Sequence, residues 1–157
     1  MGRGSLVLVV AMVAAVLIIA GCGDDSSSSS STVSISKEEF IAKADEICKQ
    51  GTGRMEAGLA RFLTEGGKIQ KPSQSDSEKF IVTVLVPSVR REIKELQALG
   101  LPDGDEEKTE AMIASLEEGL DTAEDNPEAV AAGSTDIVFG ITSRLAGEFG
   151  IEACGNR

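Results

Sequence analysis

Residues 80–99 read FIVTVLVPSVRREIKELQAL, and the fold class turns on whether their first half is strand or helix. Taken alone, the β-branched run before Pro87 has the composition of a strand. However, Ile81, Leu85, Val89, Ile93 and Leu96 recur at helical spacing and carry one apolar face straight through the charged second half. A strand stopping at Pro87 also has no obvious partner. The stretch therefore reads as helix. Pro87 has no amide to donate to the Thr83 carbonyl, so a kink or a new helix start is expected there.

Upstream, SKEE at residues 36–39 matches a capping box and opens a helix. Its stripe runs Phe40, Ile41, Ala44, Ile47, Cys48, Gly51, Met55, Leu59 and Phe62, with Lys43, Asp45, Glu46, Lys49 and Arg54 outside it. Gly51 lies on that stripe, where another backbone can approach, and Gly53 lies off it. Gly66-Gly67 ends the helix, and KIQKPSQSD, residues 68–76, reads as a loop.

Downstream, GLPDGD at residues 100–105 is a break with an acidic start signal for the next helix. That helix presents Thr109, Met112, Ile113, Leu116, Leu120 and Ala123, and Asn126-Pro127 stops it. A helical turn over residues 127–132, closed by Gly133, precedes a last helix from Ser134 or Asp136 that buries Ile137, Val138, Ile141, Leu145 and Phe149. Gly150 followed by Ile151 suits a left-handed C-terminal cap. Four amphipathic segments with short links predict an all-α fold, a small antiparallel bundle of about four helices.

The amino terminus carries an address. Residues 6–20 are all apolar, preceded only by Arg3 and the terminal amine as charges, which is the layout of a secretory signal. The run falls short of the roughly 20 residues a comfortable membrane span needs; a plain anchor is the competing reading. It ends in IAGC, residues 19–22, which resembles the lipobox of bacterial lipoproteins. That resemblance implies cleavage between Gly21 and Cys22 and a lipid on Cys22, with several acyl chains for firm anchoring. GDDSSSSSS follows as a flexible tether, with an O-glycosylated stalk as the other reading. The expected organisation is a signal peptide over 1–21, a lipidated linker over 22–35 and a helical domain over 36–157. Cleavage leaves 14 Lys and Arg against 26 Asp and Glu, so the formal charge moves from −11 to −12. Such a balance argues against nucleic acid and anionic headgroups as charge partners and favours solubility.

SKEEFIAKADEICK, the proline-kinked segment running into LQALGLPDGD, and the ending FGIEACG together resemble a group of small secreted lipoproteins common in actinobacteria. The resemblance covers most of the mature chain and is a pattern of helices and two cysteines. It implies an envelope location on the extracytoplasmic face of the cell membrane, a helical domain and a paired Cys48 and Cys154, and it implies no site. The cysteine count agrees: lipidation uses Cys22 and leaves an even pair in a disulfide-permissive compartment. Two free buried thiols are the alternative.

The chain has no His, Trp or Tyr. That removes His general bases, Ser-His and Cys-His nucleophiles and imidazole metal ligands. Glu38-Glu39, Glu106-Glu107 and Glu117-Glu118 are adjacent, but helix neighbours point about 100° apart and these lie on polar faces. DGDEE from Asp103 fails the calcium-loop pattern, with Lys108 and Ala114 at positions 6 and 12, and reads as helix capping. Met55 and Met112 read as core filler rather than a soft-metal site. No catalytic or metal-binding residue and no cofactor is assigned. The expected function is a non-catalytic binding or interaction module, gripping a small apolar ligand between helices or an envelope protein on its acidic face. The alternative is an envelope enzyme acting through paired carboxylates.

Overall fold

Residues 80–97 are helical, and Ala98 and Leu99 form a turn, in the computed structural model, which describes residues 35–65 and 72–156. The stretch is not one regular helix. Helix α2 (Gln74–Phe80) runs into a π-turn (Ile81–Leu85) and then into α3 (Val86–Gln97), with Pro87 in the first turn of α3. The π-turn accommodates the proline. Its wider loop is closed by the Val86 amide donating to the Ile81 carbonyl, one residue before the position that has no amide to give. Thr83 Oγ1 donates to the Lys79 carbonyl at 2.7 Å and Ser88 Oγ to the Val84 carbonyl at 2.7 Å, so side chains help hold the distorted ladder. All five stripe residues, Ile81, Leu85, Val89, Ile93 and Leu96, are buried.

Two boundaries differ from expectation. The loop ends earlier than 76: α2 begins at Gln74, because Ser73 and Asp76 form a reciprocal capping box. Helix also continues past the Gly150 cap, in a short α7 (Glu152–Gly155).

The other helices are α1 (Lys37–Glu65), α4 (Glu106–Asp125), α5 (Pro127–Ala129) and α6 (Thr135–Phe149). Ser36 Oγ accepts the Glu39 amide at 3.2 Å, opening α1 as its sequence requires; the Glu39 carboxylate pairs with Lys43 at 2.7 Å. Gly133, at φ 104°, turns the chain between α5 and α6. At the end of α6, Gly150 takes φ 102°, and the amides of Gly150 and Ile151 donate to the Gly147 and Ala146 carbonyls at 3.1 and 2.8 Å. This is a Schellman closure, and it sends Ile151 into the core with no exposed surface.

Helix α4 packs between α3 and α6, while α1 packs on α3 and α7. Phe40 of α1 meets Phe149 of α6 edge to face at 5.9 Å. Thr109, Met112, Ile113, Leu116, Leu120 and Ala123 are buried on α4 as expected. Helix α6 is rotated from its expected face: Ile141 is 55 % exposed, and Thr142, Ala146 and Phe149 are buried. Leu59, at the far end of the α1 stripe, is 42 % exposed, because the buried band on α1 thins beyond Gly51. The Ile137 side chain, Gly66-Gly67, and the signal and tether residues lie outside the described set. No described helix is long and apolar enough to cross a membrane.

Candidate functional site

Cys48 lies one turn beyond Ala44 on the buried face of α1, and the Schellman turn delivers Cys154 to it from α7. Their Cα atoms are 5.4 Å apart, inside the range a disulfide spans, and the sulfurs stand at bonding distance. The approach is guided by Asp45. Its Oδ1 accepts the Ala153 amide at 2.8 Å, a donor in the first turn of α7 that α7 itself cannot satisfy.

An apolar cavity of about 170 Å³ opens beside this pair. Met55, Leu85, Val89, Leu116 and Phe139 form its walls, drawn from α1, the π-turn, α3, α4 and α6. Cys154, Glu92, Thr142 and Ser143 supply its polar and sulfur atoms. Glu92 is only 2 % exposed, and its Oε1 lies 3.7 Å from Cys48 Sγ. Thr142 and Ser115 share a hydroxyl–hydroxyl hydrogen bond of 2.9 Å at the α4–α6 contact. The cavity is therefore an apolar chamber with a few polar groups in its lining, the usual construction of a small-molecule site. Cys48 Sγ, Cys154 Sγ and a Glu92 oxygen lie within 4.8 Å of one another; two sulfurs joined as a disulfide would offer no thiolate to a metal.

Glu92 was not singled out from the sequence, although a signal exists. It stands three residues after Val89 and four before Leu96, so the stripe that fixes the helix also places a carboxylate on its buried face. The acids that were singled out lie elsewhere. Glu38, Glu39, Glu106, Glu107, Glu117 and Glu118 are exposed, and none lines the cavity. Met112 is core, while Met55 is half-buried and faces the cavity.

The DGDEE stretch does cap α4, but not through the Asp105 side chain. The Asp105 carboxylate pairs with Lys108 at 2.8 Å and Lys37 at 3.0 Å, joining α4 to the start of α1. Backbone hydrogen bonds at Gly104 and Glu106 hold the Glu106 carboxyl below its ordinary range. The lipidation and cleavage residues Gly21 and Cys22 lie outside the described residues.

No protein-family model matches the chain, and no curated protein or solved structure matches it either.

Proposed function

We propose that the chain is a membrane-anchored envelope lipoprotein whose helical domain is a non-catalytic module for a small, mainly apolar molecule. The observation that carries the binding half is the cavity between Met55, Leu85, Leu116 and Phe139. At about 170 Å³ it is comparable to the roughly 150 Å³ engineered apolar cavity that takes up benzene. Glu92, Thr142 and Ser143 orient one polar group of the occupant, and the apolar walls supply the driving force. The anchoring half rests on IAGC at the end of the apolar run: lipid on Cys22 and the Ser-rich tether present the domain on the extracytoplasmic face.

Each half has its own test. A benzene-sized probe such as indole raises the Tm of the protein by stabilising the folded state, and Met55→Trp, which fills the space, loses that rise. An unchanged Tm at saturating probe removes the ligand reading. Mass spectrometry of the native N-terminal peptide reads the anchor, where a peptide without acyl mass removes it.

A further inference from the structure

A second concavity lies apart from the apolar cavity and shares no residue with it. It runs between α1 and the π-turn with the start of α3, has a free volume of about 400 Å³, and is lined by Arg54, Arg61, Arg91, Phe62, Val84 and Pro87. Its floor is a close helix contact. Gly58 of α1 sits so tightly under Val84 that an added Cβ would collide with Val84 Cγ1.

The charge here runs against that of the molecule. A chain of net charge −11 gathers three guanidinium groups into one groove. Lys79 adds a fourth cation at its edge, 6.0 Å above the Phe62 ring. Glu95 answers only two of them. It accepts from Arg91 Nε at 2.8 Å and from Arg54 Nη2 at 3.0 Å. Burial pushes the Glu95 carboxyl up, but the Arg91 hydrogen bond and the Arg54 charge outweigh it and hold it below its ordinary range. Arg61 pairs with none of the carboxylates whose side chains the structure describes, a set that does not include Glu65. Arg54 Nε is a buried donor with no hydrogen-bond partner among them. The groove hydroxyls offer no competing protons, since Thr83 and Ser88 already donate to backbone carbonyls. Planar guanidinium donors that cannot lose their charge match the geometry of an oxyanion.

We propose that this groove binds a phosphate ester, with Arg54, Arg61 and Arg91 holding the phosphate and Phe62, Val84 and Pro87 receiving the apolar body of the ester. The net negative charge of the surrounding surface opposes adsorption to an anionic bilayer, which favours a small soluble ester over a lipid headgroup as the source.

The test is a titration of the full chain with phenyl phosphate, with phenol and inorganic phosphate titrated separately. Vesicles of phosphatidylglycerol are run beside vesicles of phosphatidylcholine. Arg61→Gln and Arg91→Gln each weaken phenyl phosphate by about tenfold or more, the scale of a charge-assisted hydrogen bond. Arg144→Gln makes the same charge change on the exposed Glu148 pair of α6 and leaves binding unaltered. Phenol binds no tighter than either variant binds the ester. Selective binding of phosphatidylglycerol vesicles that both groove variants lose assigns the same site to a lipid headgroup. The proposal fails if neither phenyl phosphate nor phosphatidylglycerol binds, or if Arg144→Gln weakens binding as much as the groove variants do.

Discussion

Asp45 of α1 accepts the backbone amide of Ala153 in α7 at 2.8 Å, across 108 residues of sequence. A four-residue helix has no stability of its own, because nucleation is unfavourable and every amide in its first turn lacks an internal partner. Asp45 thus caps α7 from another helix and fixes the segment that carries Cys154. Asp45→Ala costs about 1 kcal/mol, in line with loss of a helix cap, and speeds hydrogen exchange at Ala153 far more than in α4. Equal protection of Ala153 in variant and parent refutes the role.

The Cys48–Cys154 pair closes a loop of 106 positions around nearly the whole domain. In the chain-entropy model a bridge of that span stabilises by about 4–5 kcal/mol, within a total of roughly 5–15 for such a domain. Cys154→Ala therefore lowers the denaturation midpoint sharply. Alkylation decides the bond itself: iodoacetamide labels neither cysteine in unreduced, denatured protein and labels both after reductant.

Two glycines of α1 respond in opposite directions. Nothing lies within 4 Å of a Cβ built on Gly53, so Gly53→Ala stabilises by roughly 0.5–1 kcal/mol through helix propensity. Gly58→Ala gains the same propensity but drives a methyl against Val84, a side chain stiff at χ1, and overpacking of this kind costs about 1–3 kcal/mol. Gly58→Ala is thus net destabilising, and much of the loss disappears in the Val84→Ala background. Urea unfolding of the parent, the three single variants and the Gly58→Ala/Val84→Ala double variant checks the signs.

Asp105 is one of the carboxylates that make stability fall in acid. Hydrogen bonds from Lys108 and then Lys37 hold its carboxyl below the usual 3.8. Its folded pKa is depressed, so its contribution is complete above the unfolded value and disappears as pH falls through the folded one. The partner shift has the opposite sense: Asp105 raises Lys108 above 10.5, so that contribution is lost only as pH rises through the raised value. Asp105→Asn therefore lowers stability near neutrality and makes its fall below roughly pH 4 shallower. A parallel pH profile for the two proteins contradicts the assignment.

The sequence by itself determined the helical class and most of the ends. Spacing makes 80–97 helix against its strand-like composition, and Ser36 and Gly150 cap as their chemistry requires. These features are local, so no neighbour is needed to read them, whereas the meeting of Cys48 and Cys154 joins the two ends of the domain and depends on tertiary structure. Tertiary structure decided which edge of each stripe met a neighbour. Periodicity places Ile141 inside the apolar arc of α6 and Thr142 about 100° further round, just past its edge, and only packing against α4 buries Thr142 and exposes Ile141. The same holds for the sites. Met55, Glu92, Leu116 and Phe139 border one cavity because α1, α3, α4 and α6 each send a side chain to it. Arg54, Arg61 and Arg91 share a groove because Gly58 lets α1 close on Val84. A stripe records what a helix turns inward, whereas a cavity is the space between stripes, and its shape depends on how the helices cross.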